Sequence, residues 1–326
     1  MLKYVLGIIT ILFVTACGTN LDNGNKSQDD ENNDVQNVME GYVANIGDNS
    51  VLVVENRLDP SISEFHPEQH EEAGNAISFS LDNIEDSMAD SLMRGEKVQV
   101  THGAVAESYP GQSSAIAIKR IVDEEHDMVI APDETINLVA LEQFIQKTEN
   151  NEEATMRGVN ITVEGSSVFD TYIFQNGEYT VKEDATQDNF VEVETISEVS
   201  CQQLEYYLTD DQNIMFELTG CDNDTGVLAI ANLPFKDMIV PEDIYHRVKV
   251  IVGDEVVLDT TEESEKEEII TKIREGTPQS VMAMTMMAPE GEIILYGKQA
   301  IIHFDYQEVG NVIRYNTLVE AGLTFD

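Results

Sequence analysis

The sequence predicts a mainly β fold with α+β units. Three observations carry this. Short runs rich in Val, Ile, Thr and aromatics recur along the chain, bounded by turn residues such as Gly47-Asp48-Asn49, Pro110-Gly111 and Asn176-Gly177. Few segments carry apolar residues at helical spacing. In the first folded stretch the order is three strands, a helix, then two strands, the order of an OB-like barrel. With 326 residues, the chain has room for two or three domains of ordinary size. The expected architecture is an OB-like barrel followed by helix-plus-antiparallel-sheet domains.

The first unit covers 38–122. Strands are expected at Val38–Ile46 and Val51–Glu55, then, after a polar excursion from Asn56 to Asn75, at Ala76–Leu81. Ile84, Met88, Leu92 and Met93 lie at helical spacing, with Asp82 or Asn83 as cap. Glu96–Val105 and Ser114–Val122 supply two more strands, joined by the loop Glu107-Ser108-Tyr109-Pro110-Gly111-Gln112. The opening Gly41-Tyr42-Val43, the strand Ser50-Val51-Leu52-Val53, the run from Gly95 to Val100 and above all Glu107-Ser108-Tyr109-Pro110 resemble the YobA-like family. These are small exported domains of Bacillus-type bacteria. The resemblance implies an OB-like barrel outside the cell and no activity.

Residues 123–136 (DEEHDMVIAPDETI) read as a linker. The second unit, 137–231, opens with a helix from Asn137 to Asn150. Asn137 is its expected cap, and Val139, Leu141, Phe144 and Ile145 share its apolar face. Strands follow at 155–164, 167–175, 178–182, 202–208, 214–219 and 227–231. A helix followed by a meander predicts α+β, with the helix covering one face of the sheet. The stretch from Arg157 to Gly165, Asp188 and the pair Cys201 and Cys221 are similar to a second exported domain family of uncharacterised function. That resemblance implies a fold and a disulfide, with no ligand. A Cys201–Cys221 disulfide also follows from an even cysteine pair in a chain expected outside the cell; there is no CxxC and no histidine close by to favour metal or redox chemistry. Closing a loop of ~20 residues stabilises by roughly 3 kcal/mol in the chain-entropy model. Residues 232–245 read as a second joint, and 246–326 as a small α+β unit with a helix near 261–274.

The chain begins MLKYVLGIITILFVTAC. Lys3 is a positive start, Tyr4–Val14 has the length of a signal-peptide core, and the run is too short for a comfortable membrane span. Its end, Val14-Thr15-Ala16-Cys17, resembles a bacterial lipobox. The resemblance implies a signal peptide at 1–16, removed before Cys17, and lipid on the Cys17 thiol. Acyl chains at ~0.8 kcal/mol per buried methylene make a stable anchor. Residues 17–37 continue as a polar stretch rich in Asn and Asp, expected to form a disordered tether. The expected location is the cell membrane of a Gram-positive type cell, lipid-anchored and facing outside.

There are 62 acidic and 18 basic residues, a formal charge of −44. This excludes a broad basic surface for nucleic acid or anionic lipid, and leaves a cationic partner, an envelope protein or divalent cations open. Candidate chemistry is sparse. His66 and His70 are four apart among glutamates, a metal pair if they shared a helix face, although Pro67 stands where a zincin has Glu. Asp222-Asn223-Asp224-Thr225-Gly226 lacks the closing ligand of a calcium loop and reads as a turn. Met282, Met284, Met286 and Met287 read as a buried strand rather than a Cu(I) site. Tyr109 and Gln112 sit on the loop that in OB-type barrels borders the ligand face, and are the ligand-binding candidates. No catalytic motif or cofactor fingerprint is present. The expected function is therefore a non-enzymatic binding or structural module of the cell envelope, with a metal-binding lipoprotein or a cell-wall hydrolase as alternatives.

Overall fold

In the computed structural model, β1 (Asn37–Gly47) and β2 (Ser50–Val54) form a hairpin through Asp48 and Asn49. Residues described are 37–59, 65–66, 69–188, 190, 196–280, 288–307 and 310–325. They belong to one unit, Gln36–Asp326. The expected signal peptide, Cys17, all of the expected tether but Asn37, and Met282–Met287 lie outside the described residues.

Helix α1 (His70–Ala73) precedes β3 (Ala76–Ser80), and α2 (Asp86–Ser91) precedes β4 (Lys97–His102) and β5 (Gly111–Arg120). The five strands close into a barrel in the order β1-β2-β3-β5-β4, with β3 and β5 parallel. Val43, Val51, Val53, Phe79, Val98 and Val100 fill its interior, and Leu92 with half-buried Ile84 and Met88 plugs it. Gly41 is dictated by a close approach: a Cβ there would lie 2.3 Å from the Val54 carbonyl oxygen. The expected cap of α2 is otherwise engaged. Asp82 accepts from Asn49 Nδ2 (2.5 Å) and Ser80 Oγ (2.6 Å), and the helix starts at Asp86 without a side-chain cap.

The expected linker is not one. Within it lie β6 (Met128–Ile130) and β7 (Thr135–Ile136), with Met128 and Val129 buried. Strand β6 runs parallel to β8 (Ala154–Ile161), on the far side of α3 (Leu138–Glu149) in sequence. With β9 (Ser167–Gln175), β10 (Glu178–Asp184) and β11 (Ile196–Cys201) they form a sheet in the order β11-β10-β9-β8-β6-β7. Asn137 precedes α3 in a left-handed conformation (φ 56°), and its amide donates to the carbonyls of Glu125 and Asp127 (3.2 Å each) rather than capping the helix.

A three-stranded sheet follows: β12 (Gln203–Leu208), β13 (Asn213–Thr219) and β14 (Val227–Pro234). The Cys201–Cys221 disulfide ties the end of β11 to the turn after β13. That turn is Asp222–Gly226, where the Asp222 carboxylate accepts from Ser200 N (2.9 Å). The expected second joint is also core. Helix α4 (Phe235–Met238) lies in it, and Phe235, Met238, Ile239 and Val240 are buried. The last sheet contains β15 (Tyr245–Val252), β16 (Glu255–Thr260), β17 (Thr277–Ser280), β18 (Gly291–Gly297), β19 (Ile301–Gln307), β20 (Asn311–Arg314) and β21 (Thr317–Glu320). Its order is β16-β15-β18-β19-β20-β21-β17, and α5 (Glu263–Glu275) buries Ile269, Ile270 and Ile273. One apolar core runs from Met128 to Leu323, so the second and third expected units share it.

A buried charge cluster crosses that shared core. Glu142 of α3 pairs with Arg314 of β20 and accepts from the Tyr315 hydroxyl; Glu142 is 3% exposed and Arg314 8%. Arg314 also donates to the Ile239 carbonyl (2.6 Å) and lies 4.4 Å from the Tyr315 ring centroid. Burial works against its charge, and the Glu142 carboxylate together with Tyr315 and Tyr245 outweighs this, so its pKa is raised. Removing one partner of such a pair leaves an uncompensated buried charge. Glu142→Leu is expected to destabilise by about 3–5 kcal/mol in denaturant unfolding, and the double variant Glu142→Leu/Arg314→Met by clearly less. Equal losses in the single and double variants would mean that the pair carries no coupling.

Candidate functional site

The sequence-predicted residues partly converge on the outer face of the barrel. The excursion after β2 does not float free. Leu58 and Ala73 are buried beside Leu52 and Val54, and Phe65 packs against them. This brings α1 under the loop between β4 and β5. The Tyr109 hydroxyl donates to the Gly74 carbonyl (3.0 Å), and its ring centroid is 3.9 Å from that of His70. Phe65 stacks on the other neighbour of this row, 5.9 Å from His70 at 8°. Ser108 Oγ donates to the Pro110 carbonyl (2.7 Å), and Ala106 N to the Gln112 carbonyl (2.8 Å), so the loop is held from inside as well.

Phe65, His70 and Tyr109 line a cavity of about 390 Å³, with Ser50 and Leu52 from β2 and Ser78 from β3. The strands are the second and third of the barrel with the end of β1, and the loops are the excursion after β2 and the loop after β4. OB-type barrels take ligands on this face. The lining is aromatic on one side and hydroxyl-bearing on the other, and none of its residues is an Asp, Glu, Lys or Arg. An apolar ring surface beside small hydrogen-bonding groups suits a polar, uncharged ligand with flat faces.

Of the two ligand candidates, Tyr109 lines this cavity, and Gln112 is exposed on β5 outside the lining. The two histidines do not form a helical pair. His70 is the first residue of α1, whereas exposed His66 lies before it and is bound to Gln69, whose Oε1 accepts from His66 N (2.9 Å). Among the described residues no group of three or more His, Cys, Asp or Glu is placed to hold a metal ion. The Phe65–His70–Tyr109 row itself could not be read from sequence, because its members are 39 residues apart at the Tyr109–His70 contact and no spacing rule links them.

One carboxyl elsewhere is strongly perturbed. Asp170 on β9 is 8% exposed, and its pKa is pushed up to about 6, by burial first and then by the Glu183 charge. Asn160 Nδ2 (2.7 Å) and the Tyr172 hydroxyl bond to it and act in the other direction. Between about pH 4 and 6 the folded state therefore binds more protons than the unfolded one, and stability falls as pH rises through that window. Asp170→Asn is expected to stabilise the protein by about 1–2 kcal/mol above pH 7 and to be neutral near pH 4. Urea unfolding at both pH values checks this; a difference independent of pH would uncouple Asp170 titration from folding.

Comparison with known proteins gives two domain families. DUF3221, a protein of unknown function, matches residues 40–123, and DUF4362, a domain of unknown function, matches residues 125–214. The chain is also similar to a crystal structure of a yobA protein from Bacillus subtilis subsp. subtilis str. 168, with 18% identity and a TM-score of 0.24, over 27% of this chain and 97% of that one. A solution structure of Bacillus subtilis YobA is similar at 19% identity and a TM-score of 0.23, over 30% of this chain and 92% of that one. No curated protein matches. The DUF3221 match spans the stretch in which the sequence resembles YobA-like domains, so the chain joins two domains of unknown function, the first folded as a closed, OB-like barrel.

Proposed function

We propose that this protein is a membrane-anchored extracellular lipoprotein whose barrel binds an uncharged polar ligand of the cell envelope. The observation that carries the binding reading is the cavity at Phe65, His70 and Tyr109, on the face where OB-type barrels take ligands. A charge of −44 sets nucleic acid aside, since a long phosphate backbone would be repelled by the acidic surface as a whole. What remains of the usual OB ligands is saccharide-like, and aromatic rings beside serine hydroxyls suit it. The anchoring reading rests on Val14-Thr15-Ala16-Cys17, with Cys17 as the lipid-bearing residue, and on the polar stretch after it as a tether. The protein acts by binding rather than by turnover, and it presents the barrel to the outside of the cell.

Two experiments test the two halves. Tyr109→Ala removes the ring that packs on His70 and one wall of the cavity. Calorimetric titration with neutral N-acetylglucosamine oligosaccharides is expected to show at least about tenfold weaker binding than the native chain. Tyr109→Phe keeps the ring and loses only the hydroxyl's bonds to the Gly74 and His70 carbonyls, so it is expected to retain most of the affinity. Absence of binding by the native chain, or equal affinity in Tyr109→Ala, overturns the binding half. For the anchor, Cys17→Ala is expected to lose incorporation of labelled palmitate and to leave the membrane fraction. Retention in the membrane with the label still present would refute lipidation at Cys17.

A further inference from the structure

A second cavity, of about 490 Å³, opens between the barrel, α3 and the turn joining β18 to β19. Its lining is unlike the rest of this chain. Arg57, Arg94, Lys147, Arg157 and Lys298 line it, five of the chain's 18 basic residues, against Glu96, Glu125 and Asp127 from its 62 acidic ones. The balance is inverted locally, and two of those three carboxylates are already engaged. Glu96 Oε2 accepts from Arg120 Nε (2.9 Å), and Asp127 takes both Arg157 Nε (2.8 Å) and Nη2 (2.7 Å). Exposed Glu125 alone opposes the remaining cations.

Among the described residues Lys147 and Lys298 are not held by acids, whereas three lysines elsewhere are. Lys182, Lys266 and Lys272 each face a glutamate. Exposed Lys147 and Lys298 make no ion pair among the described residues, although the chain has more than three carboxylates per cation. Arg57 is fixed by its bond to the Gly95 carbonyl (3.2 Å), a neutral acceptor that leaves its charge in place, and Arg94 donates to Asn45 Oδ1 (2.6 Å).

Two further features favour an acceptor-rich ligand. Arg157 is 8% exposed, and its Nη1 is the one buried side-chain nitrogen or oxygen without a hydrogen-bond partner among the described residues; Glu96 Oε2 stands 3.5 Å from it. A buried donor left unmet is unfavourable by roughly 1–3 kcal/mol. In addition, β6 pairs with β8 only from Gly158 to Asn160, so the edge of β8 from Ala154 to Arg157 has no strand beside it and borders the cavity. Backbone polar groups on that edge stand next to the basic side chains. A concave site with one sign of charge and low-dielectric walls focuses field and concentrates counter-ions.

We propose that this cleft binds a small multivalent oxyanion, a phosphate or a polycarboxylate, with Lys147 and Lys298 as the mobile cations and Arg157 as the fixed one. The site is distinct from the barrel face and does not depend on the ligand proposed there. Pyrophosphate and citrate serve as probes, titrated separately into the purified chain by calorimetry at constant ionic strength set by sodium chloride. The native chain is expected to bind at least one of them at one site with a Kd below about 1 mM. The double variant Lys147→Ala/Lys298→Ala, at exposed positions that leave the core untouched, is expected to bind at least about tenfold more weakly. The variant Lys249→Ala/Lys272→Ala removes the same charge outside the cleft and is expected to stay within about twofold of native. Tighter pyrophosphate assigns the phosphate class and tighter citrate the carboxylate class. Absence of saturable binding for both probes, or equal weakening in the two double variants, overturns the proposal.

Discussion

Three buried arginines hold this protein together, each at a boundary between sheets. Arg120 of β5 reaches out of the barrel to Asp184 of β10, while Glu96 and Ser91 bind its other side. Arg157 of β8 reaches back to Asp127 and to the Ile121 carbonyl (2.8 Å), where the chain leaves the barrel. Arg314 of β20 joins the last sheet to Glu142 on α3 and to the carbonyls after α4. A planar guanidinium presents five donors in a fixed fork, against three rotatable ones on a lysine, so it can satisfy more acceptors and in a set geometry. Buried ion pairs add little net stability against a well-packed apolar alternative, yet a broken one is costly. Their effect is to penalise every arrangement of the sheets except the one in which all partners meet.

This constraint places both cavities. The barrel is fixed to the second sheet through Arg120 and Arg157, so the edge of β8 cannot be covered by the barrel wall and stays open as a cleft. The barrel's other face is free of these arginines. There the long excursion after β2 folds back over Leu52 and Val54, and Tyr109 and His70 close over it. One cavity is therefore built from charge that crosses a boundary, the other from aromatic rings within a single unit.

The strands and most turns were legible because they obey local rules. Asn176-Gly177 forms its hairpin with φ of 55° and 82°, and alternation in β4 and β13 matches the buried face. What local rules missed were residues whose partners lie far away in sequence. DEEHD at 123–127 reads as solvated, yet Asp123 and Asp127 are buried because Arg157, 30 residues on, neutralises Asp127 and His126 binds Asp123. Tyr315 meets Glu142 across 173 residues, and no period or motif announces that. Asn137 has the composition of a helix cap but follows a tight return from β7, and its side chain turns back to the carbonyls of 125 and 127. The same holds for the sites. Tyr109 was legible as a loop residue on an OB-like barrel; the rings it meets, and the grouping of Lys147 with Lys298, exist only in the fold.

An anion-binding cleft on a chain of charge −44 is at first sight a contradiction. It is resolved by distance. At physiological ionic strength the Debye length is about 8 Å, so exposed carboxylates farther off than that are largely screened by salt. Charges lining a partly desolvated cavity are screened much less, and their interaction rises as the local dielectric falls. The potential an ion meets inside the cleft is therefore set by Arg57, Arg94, Lys147 and Lys298 against Glu125, since Arg157 and Asp127 pair with each other and Glu96 is held by Arg120. The surrounding acidic surface acts on approach rather than on binding. It slows encounter for any anion at low salt and ceases to matter as salt rises, whereas a positive surface would lose its attraction in the same change. Net charge and site charge thus act on different steps, which lets one chain stay solvated through its carboxylates while it holds a cationic pocket at a seam.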